Sequence, residues 1–393
     1  MTMVATLQEP ENRTENKESS HTKSLAVPST KAQPIDAAPA GVPPIFVVGV
    51  WRCGSTLLYL LLNQHPDIRL FFESDLPVLW PMFRLPWTRR SWVERWEYWN
   101  ASVSRHDLDP ARLAAPVTSL AEAFTLAGRE YAGQKGKKIW GCKSPTYYDR
   151  LDYLAKEFPG ARFIVVWRDP EEICRSVIHA AARSGFSGSW FARRGTNHRS
   201  VLASKTLQKQ VQKLLRMGAS VHQMHYRDLV NDTAKTMQSV CEFLAVPFDP
   251  SVTVLDQADR SAVYKGEHHT LARSGDIVST KDRHQPLPPP LADKINRYRT
   301  LWRSKYGDKW LLSERFSETA ATKPSLWERA WDRLLFVALH IRDVTPQIAF
   351  SILPLSAWHF YRWLKYEDAQ SVHRQLTNKP PVIKPHSSPK RPR

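Results

Sequence analysis

The sequence predicts an α/β fold, a three-layer α/β/α domain with a mainly parallel sheet, followed by a C-terminal helical extension. Three observations lead to this prediction. A short apolar run near residue 45 feeds a glycine-containing turn and then a helix with periodic apolar residues. Further β-type runs alternate with helical stretches along the chain. The 393 residues are enough for one large domain with extensions.

The first strand-turn-helix unit is the most informative segment of the chain. Ile45–Val50 is apolar, and the turn after it leads directly into the periodic helix. Such a unit commonly binds phosphate, because free backbone N–H groups and the helix dipole converge on the anion. The spacing Gly49-x-x-x-x-Gly54 matches the first part of a Walker A loop, but Ser55 stands where that motif has lysine. We therefore predict a P-loop-like fold whose loop binds a phosphate group without the usual contacts to a triphosphate.

Strand and helix signals continue after residue 137. Lys138–Cys142 is a candidate strand, and Pro145 begins a predicted helix that ends at Phe158, before Pro159-Gly160. Arg162–Trp167 is rich in β-type residues. The dipeptide Asp169-Pro170 then provides an N-cap and a proline at the first helical position, which predicts a helix to about Ala182.

Two more elements complete the predicted domain. Val221–His225 is a weaker candidate strand, and Asp232–Leu244 reads as a helix. Repeated β-α units of this kind predict a parallel sheet that is covered by helices on both faces.

The chain divides into four predicted segments. The N-terminal segment is polar and lacks an apolar run, so we expect it to be disordered rather than a signal peptide. Ser325 and Glu328 form a capping box that begins an amphipathic, aromatic-rich stretch. The predicted segments are a disordered N-terminus (1–43), the main domain (44–312), a helical extension (323–367) and a basic disordered tail (368–393). We expect a cytoplasmic protein that is soluble or peripheral at a membrane.

The helical extension allows two interpretations. It is either a cap on the main domain or an attachment to a membrane surface through Trp358, Phe360, Arg362 and Trp363. A membrane-spanning helix is disfavoured, because it needs about 20 mostly apolar residues and this stretch contains Pro346, Pro354 and several polar residues.

The net charge and the cysteine content indicate which kinds of partner and metal site to expect. The net charge of +18 predicts an anionic partner, which is a nucleotide-like cofactor, an acidic polymer or a membrane surface. No nucleic-acid partner is predicted. Four cysteines have neither metal-ligand spacing nor a disulfide-rich pattern, so we predict reduced structural thiols and no metal site. These are Cys53, Cys142, Cys174 and Cys241.

The motif Arg52-Cys53-Gly54-Ser55-Thr56-Leu57-Leu58, followed by His65-Pro66-Asp67, resembles the 5′-phosphosulfate loop of the sulfotransferase superfamily. The resemblance covers Pro44 to about Gly307 and is strongest to the branch with tyrosylprotein and many bacterial sulfotransferases. It implies a co-substrate, 3′-phosphoadenosine-5′-phosphosulfate (PAPS). It also implies that Arg52, Cys53, Gly54, Ser55, Thr56 and Leu57 bind this donor.

Three later motifs follow in the order of that superfamily. Lys143-Ser144-Pro145 is similar to its K-[SD]-P motif, and Arg168-Asp169-Pro170 with Ser176 is similar to its 3′-phosphate site. Asp169 is expected to cap a helix rather than to bind. Tyr226 begins a segment similar to Y-x-D/Q-L-V, where the tyrosine lies near the adenine, although it is also consistent with a core residue. Lys265 and Arg273 lie in a stretch that resembles the late loop covering the donor.

Glu73 is the predicted catalytic base. The resemblance places Phe72-Glu73-Ser74 where this branch has its catalytic carboxylate. Transfer to a hydroxyl needs a base that removes the proton as the new O–S bond forms. Its neighbours Phe71, Phe72 and Leu76 would partly desolvate this carboxylate, which makes it a better base. Arg52 and Lys143 are implied to stabilise the charge that builds up during transfer.

Two other functions remain open at this point. A P-loop kinase would need lysine at position 55 and a strand that ends in a carboxylate for magnesium. A catalytically silent protein that binds membranes or polyanions would fit the basic charge. For a sulfotransferase, we expect an acceptor hydroxyl on a carbohydrate, a glycolipid or another alcohol, while a peptide tyrosine or a small phenol is not excluded. The sequence does not predict the oligomeric state.

Overall fold

Five parallel strands form the centre of the structure, which is a computed structural model that describes residues 41–74, 108, 120–183, 196–263, 277, 286–306 and 322–352. The order of the strands across the sheet is β2-β3-β1-β4-β5, and every neighbouring pair is parallel. The strands are β1 (Ile45–Gly49), β2 (Ile68–Phe72), β3 (Ile139–Lys143), β4 (Arg162–Trp167) and β5 (Ser220–His225).

The central strand β1 is apolar because both of its faces are covered. All five of its residues are buried, as expected for a parallel sheet between two helical layers. Val47 lies opposite Lys143 on one side and opposite Ile164 on the other. Gly141 allows β3 to approach β1 closely, since a Cβ at that position would lie 2.1 Å from the carbonyl oxygen of Ile45.

Nine described helices surround or extend the sheet. They are α1 (Ser55–Leu62), α2 (Leu120–Gly133), α3 (Leu151–Glu157), α4 (Pro170–Arg183), α5 (Thr196–Arg216), α6 (Tyr226–Asn231), α7 (Thr233–Phe243), α8 (Pro289–Tyr306) and α9 (Leu326–Ile352). Two short 3₁₀ helices, Pro145–Asp149 and Pro250–Thr253, complete the described elements.

Two separate apolar clusters fill the spaces above and below the sheet. Phe46 and Val48 of β1 point into the cluster that includes residues of α2, α3, α5 and α8. Ile45 and Val47 point into the cluster that includes residues of α1 and α7. This alternation confirms the predicted three-layer α/β/α fold with a parallel sheet.

The order of the strands creates a crevice beside β1. This strand lies between β3 and β4, so the chain leaves it towards one half of the sheet and later crosses to the other half. In open α/β sheets, ligands bind outside the carboxyl ends of the strands at such a switch point. The predicted phosphate loop follows β1 directly and therefore lies at this place.

The helix predicted over residues 145–158 is wrong in one respect, because the structure divides it into two helices. The 3₁₀ helix Pro145–Asp149 comes first, and α3 follows after Arg150, whose φ of −138° is not helical. The Ser144 hydroxyl accepts a hydrogen bond from the backbone N–H of Thr146, which starts the 3₁₀ turn. Apolar periodicity does not reveal the break at Arg150.

The extension is helical, as predicted, and begins at the predicted cap. The Ser325 hydroxyl accepts a hydrogen bond from the backbone N–H of Glu328, and α9 runs from there to Ile352, past Pro346. None of the helices in the described residues is long and apolar enough to cross a membrane. The aromatic residues predicted for membrane attachment at 358–363 lie outside the described residues, as do most of the two predicted terminal segments.

Candidate active site

Each strand of the sheet brings one predicted site residue to the same edge. Arg52 follows β1, Glu73 directly follows β2, and Lys143 is the last residue of β3. Arg168 directly follows β4, and Tyr226 directly follows β5. Because all the strands are parallel, these five carboxyl ends lie on one side of the sheet. Arg52 and Tyr226, which are 174 positions apart in the sequence, thus belong to one site.

The loop after β1 has an unusual backbone conformation. Arg52 has φ = 78° and Gly54 has φ = 99°, and a positive φ is uncommon for a residue other than glycine. The N–H of Cys53 donates to the carbonyl oxygen of Val50 at 2.8 Å, which closes the turn. Ser55 and Thr56 then form the start of α1, where the backbone N–H groups point out of the helix end. This is a suitable geometry for binding a phosphate group.

Arg52 of this loop and Arg168, which follows β4, lie side by side. The Nη1 of Arg168 donates to the carbonyl oxygen of Arg52 at 2.9 Å, and the Nε of Arg52 donates to the hydroxyl of Ser176 at 3.1 Å. Burial and the neighbouring charge of Arg168 lower the pKa of Arg52 to about 10. An anion bound between the two guanidinium groups would relieve this repulsion. The structure therefore brings together Arg52, Arg168 and Ser176, which are three of the side chains predicted to bind the phosphate groups of the donor.

Tyr226 packs against this arrangement. Its ring lies with its centroid 4.2 Å from the guanidinium carbon of Arg168, within the range of a cation–π contact. A Cβ at Gly54 would lie 2.2 Å from Cδ2 of the same ring, so only glycine fits beneath it. The ring thus holds both the loop and Arg168, and its contact with an adenine remains a prediction.

Glu172 is a site residue that the sequence analysis missed. It accepts from the Nε of Arg168 at 3.2 Å and from Arg227, whose Nε and Nη2 lie at 2.8 and 2.5 Å. Burial alone would raise the pKa of Glu172, but Arg168 and Arg227 outweigh it and lower this pKa. The spacing of four residues from Arg168, across the start of α4, was the available signal.

Asp169 has the structural role that the sequence predicts. Its side chain accepts a hydrogen bond from the N–H of Glu171 at 2.6 Å at the start of α4. It also forms a buried ion pair with Arg299 of α8, which sequence spacing does not indicate. Asp169 thereby fixes the helix that presents Glu172 and Ser176.

Glu73 and Lys143 form the second half of the site. The Nζ of Lys143 lies 2.5 Å from Oε1 of Glu73, and the N–H of Glu73 donates to the carbonyl oxygen of Lys143 at 2.6 Å. The side chain of Lys143 is only 1% exposed, and its Nζ lies 4.0 Å from the ring centroid of Phe72. The charge of Glu73 also acts on Arg52, which shows that the two halves are neighbours.

Backbone conformation also marks Glu73 and Arg52. Among the described residues other than glycine, only Arg52, Glu73 and Ala245 have positive φ. Residues held in such sparsely populated regions cluster at functional sites, where the surrounding structure imposes them. A hydrogen bond stabilises the turn at Glu73, because the hydroxyl of Tyr147 donates to the carbonyl oxygen of the next residue, Ser74. Two of the three strained residues are therefore predicted catalytic residues.

His65 of the His-Pro-Asp motif is structural. Its Nδ1 accepts from the N–H of Asp67 at 3.0 Å, and its Nε2 lies 2.9 Å from the carbonyl oxygen of Pro247. The carbonyl can only accept, so Nε2 carries the proton. These contacts fix the turn between α1 and β2 and thus the position of Glu73 at the end of β2.

Two of the predicted donor-binding residues place their side chains in the core. The thiol of Cys53 is buried, and burial raises its pKa, while Leu57 packs against the same apolar cluster. All four cysteines are buried and none of them forms a disulfide bond, which agrees with the predicted thiols. Lys265 and Arg273 lie outside the described residues.

Comparison with known proteins agrees with this geometry. A sequence model described as the sulfotransferase family matches residues 43–250, which include the five strands and the site residues at their carboxyl ends. The chain belongs to the sulfotransferase family.

Relatives within the family share moderate identity with this chain. Protein-tyrosine sulfotransferase 1 of Danio rerio is 29% identical over 215 residues, which cover 54% of this chain and 55% of the relative. Nodulation protein NoeE of Sinorhizobium fredii is 32% identical over 133 residues, which cover 34% of this chain and 30% of the relative. The chain thus spans about half the length, or less, of the curated relatives it matches.

Two solved sulfotransferase structures align with part of this chain. The sulfotransferase domain from the curacin biosynthetic pathway has a TM-score of 0.47 and 20% identity, over 66% of this chain and 98% of that domain. Mouse sulfotransferase SULT7A1 complexed with PAP has a TM-score of 0.42 and 12% identity, over 70% of this chain and 89% of that chain.

Proposed function

We propose that this protein transfers a sulfuryl group from PAPS to an acceptor hydroxyl. The observation that carries the proposal is the convergence of three cations and one carboxylate at the carboxyl edge of the sheet. Arg168 contacts Arg52 of the phosphate loop, and Lys143 is paired with Glu73. Membership of the sulfotransferase family supports the same reaction.

The residues of the site fit a donor that has two separate phosphate groups. The loop from Arg52 to Thr56 and the start of α1 would bind the 5′-phosphosulfate. Arg168 and Ser176 would bind the 3′-phosphate, because an arginine fork matches the geometry of a phosphate. A kinase is disfavoured, since position 55 is serine and the triphosphate lysine of a Walker A loop is therefore missing.

The reaction needs a base and a way to stabilise negative charge. Glu73 would take the proton from the acceptor hydroxyl while the acceptor oxygen bonds to sulfur. The bond between sulfur and the bridging oxygen breaks, and the electron pair stays on the departing 5′-phosphate. Lys143 and Arg52 would stabilise this developing charge, and each such preorganised donor lowers the barrier by about 3 kcal/mol. The ion pair between Lys143 and Glu73 keeps both groups in place before substrate binds.

The acceptor is the less defined part of the proposal. From the sequence, we proposed a carbohydrate, a glycolipid or another alcohol. The relative in Danio rerio is named a protein-tyrosine sulfotransferase, which makes a tyrosine phenol an equally direct choice. We therefore propose a hydroxyl acceptor as the class and include both kinds in the test.

Calorimetric titration with adenosine 3′,5′-bisphosphate, beside ATP, tests the donor site. We expect micromolar binding of the bisphosphate that is lost in Arg168→Ala, because this arginine would contact the 3′-phosphate. Arg216→Ala is the matched control, since this exposed arginine lies at the end of α5, outside the site. Tight binding of ATP together with indifference to the 3′-phosphate would contradict the proposal and favour a kinase.

Turnover with labelled PAPS tests the chemistry. A tyrosine peptide, a simple phenol and an oligosaccharide serve as acceptors. We expect Glu73→Gln to reduce transfer by at least about a hundredfold, while its affinity for the bisphosphate stays within a factor of two to three. The exposed Glu242→Gln on α7 is the control. Equal activity of Glu73→Gln and the native protein would remove Glu73 from the proposed mechanism.

A further inference from the structure

The last described helix, α9, has an inner side that is fixed to the protein. Asp332 is buried and accepts from the Nζ of Lys294 at 2.6 Å and from the hydroxyl of Tyr298 at 2.7 Å. Glu328 accepts from Arg297 at 2.9 Å, and Phe336 packs against the main core cluster. The acidic residues at the start of α9 therefore face α8, where basic partners neutralise them.

The opposite side of α9 is apolar and exposed. Its side chains have exposed fractions between 45% and 87%. With 100° between successive residues, they occupy a continuous stripe of about 140° around the helix axis. We call them the apolar stripe, which consists of Leu326, Trp327, Trp331, Leu334 and Val337. Helices of globular proteins normally bury such a stripe, so its exposure indicates a surface that binds another apolar surface.

A cluster of cations borders this stripe. Burial, followed by four neighbouring positive charges, lowers the pKa of Lys205 to about 8. Two of these charges, Arg329 and Arg333, lie on α9 next to the edge of the apolar stripe that contains Leu326 and Val337. We call the group the basic cluster, which consists of Lys205 and Lys209 of α5, Lys305 of α8, and Arg329 and Arg333 of α9.

We propose that the apolar stripe and the basic cluster together bind the surface of a membrane that contains anionic lipids, with α9 lying in the interface. Tryptophan and leucine on one side of a helix and cations beside them are typical of helices that insert shallowly at the headgroup level. The cluster supplies the attraction to lipid phosphates. This site uses described residues of α9 and differs from the attachment predicted at 358–363.

The charge arrangement favours lipid over other occupants. A second copy that packed symmetrically on the stripe would bring its own basic cluster close to this one, and such repulsion opposes pairing. A polyanion would use the cluster but leave two exposed tryptophans without a role. An anionic membrane is the partner that satisfies the apolar and the charged part at once.

Vesicle flotation of the full chain tests the proposal. We expect binding to vesicles of phosphatidylcholine with about one-third phosphatidylglycerol, weaker binding as salt rises, and little binding to phosphatidylcholine alone. The double variant Trp327→Ser/Trp331→Ser should lose more than about tenfold in partitioning. Arg329→Gln/Arg333→Gln should lose about fivefold for each charge removed.

Controls separate this effect from a loss of folding. Phe248→Ser changes an apolar residue that is 41% exposed elsewhere on the surface and should bind vesicles like the native protein. Unchanged affinity for adenosine 3′,5′-bisphosphate in every variant would show that the domain is intact. The proposal is overturned if the protein does not bind anionic vesicles, or if both double variants bind them as well as the native protein does. It also fails if sedimentation shows that the apolar stripe mediates only self-association of the protein. Binding of heparin through the basic cluster without binding of vesicles would likewise overturn it.

Discussion

Arg52 and Arg168 are brought together against their mutual repulsion, and specific contacts hold them there. Arg168 donates to the backbone of Arg52, while Arg52 donates to Ser176. Glu172 compensates part of this charge from the side of α4, and it also binds Arg227. The remaining positive charge is available to an anion at the edge of the sheet. The most informative substitutions at this scale therefore concern Glu172, which orients an arginine without being placed to contact phosphate itself.

Glu172→Gln should weaken binding of adenosine 3′,5′-bisphosphate by about tenfold, because Arg168 loses the charged group that fixes its orientation. Binding of adenosine 5′-phosphate, which lacks the 3′-phosphate, should not change. Calorimetry of both nucleotides measures this difference. Glu171→Gln is the control, since this neighbouring carboxylate pairs with Arg175 and Arg299 rather than with Arg168. An equal loss for both nucleotides would mean that Glu172 supports the fold rather than the position of Arg168.

The same substitution should change how stability depends on pH. The pKa of Glu172 is lower in the folded protein than its ordinary value, because Arg168 and Arg227 outweigh the effect of burial. Its contribution to stability is therefore present above the unfolded pKa near 4.3 and is lost as pH falls through the lower folded pKa. We expect the free energy of unfolding at pH 7 to be about 3 kcal/mol lower in Glu172→Gln.

Urea unfolding of both proteins at pH 7 and at a series of acidic values measures this pH dependence. The difference between native protein and variant should shrink as the pH falls below about 4. A difference that stays constant over that range would show that the ion pairs of Glu172 do not contribute as described.

At the scale of elements, helix α9 depends on a few buried polar contacts with α8. Asp332 is 1% exposed and satisfies both Lys294 and the hydroxyl of Tyr298. Burial and the nearby carboxylate raise the pKa of Tyr298 well above its usual range. Removing this carboxylate would leave a partly buried lysine without its ion pair, and this costs more than the loss of one surface contact.

Asp332→Ala should therefore detach the first turns of α9 from the domain. We expect hydrogen exchange of the backbone amides between residues 328 and 338 to become at least about tenfold faster, while exchange in β1 and β4 stays the same. Asp293→Ala is the matched control, since it removes a carboxylate on α8 that is 59% exposed and pairs with Arg297. Unchanged protection of α9 in Asp332→Ala would show that the contacts of Asp332 are not needed to hold this helix.

At the scale of the whole molecule, the site joins all five strands of one sheet. Its residues follow five different strands, and the layers on both faces of the sheet pack against those strands. A ligand that binds across this edge contacts segments that are distant in sequence. Binding should therefore stabilise the domain as a unit, because unfolding of any one strand disrupts the site.

Adenosine 3′,5′-bisphosphate at about one hundred times its dissociation constant should add about 2.7 kcal/mol to the stability of the folded state. This corresponds to a rise of about 6 °C in the thermal midpoint for a domain of this size. Scanning calorimetry with and without the ligand measures the shift. Arg168→Ala should show no shift at the same concentration, whereas Arg216→Ala should behave like the native protein. A shift that persists in Arg168→Ala would place the ligand elsewhere.

The sequence by itself determined the class of fold, four of the five strands and the motifs that contain the candidate site residues. Buried strands in a parallel sheet are continuous apolar runs, and a glycine loop before a helix is a local pattern, so both are visible without a structure. Arg52, Lys143 and Arg168 were predicted from the resemblance of their motifs to those of sulfotransferases, and the structure places each at or just after the end of a strand. Asp169 could be assigned to a helix cap for the same local reason.

Only the tertiary structure decided how these residues face one another. The pairing of Lys143 with Glu73, the role of Glu172 and the ion pair of Asp169 with Arg299 depend on the order β2-β3-β1-β4-β5, which a linear pattern does not encode. The exposure of the apolar stripe of α9 is also decided only by the tertiary structure. Periodicity shows that a helix has an apolar side, but packing against neighbours decides whether that side is covered, and in this protein the buried side is the polar one with Asp332.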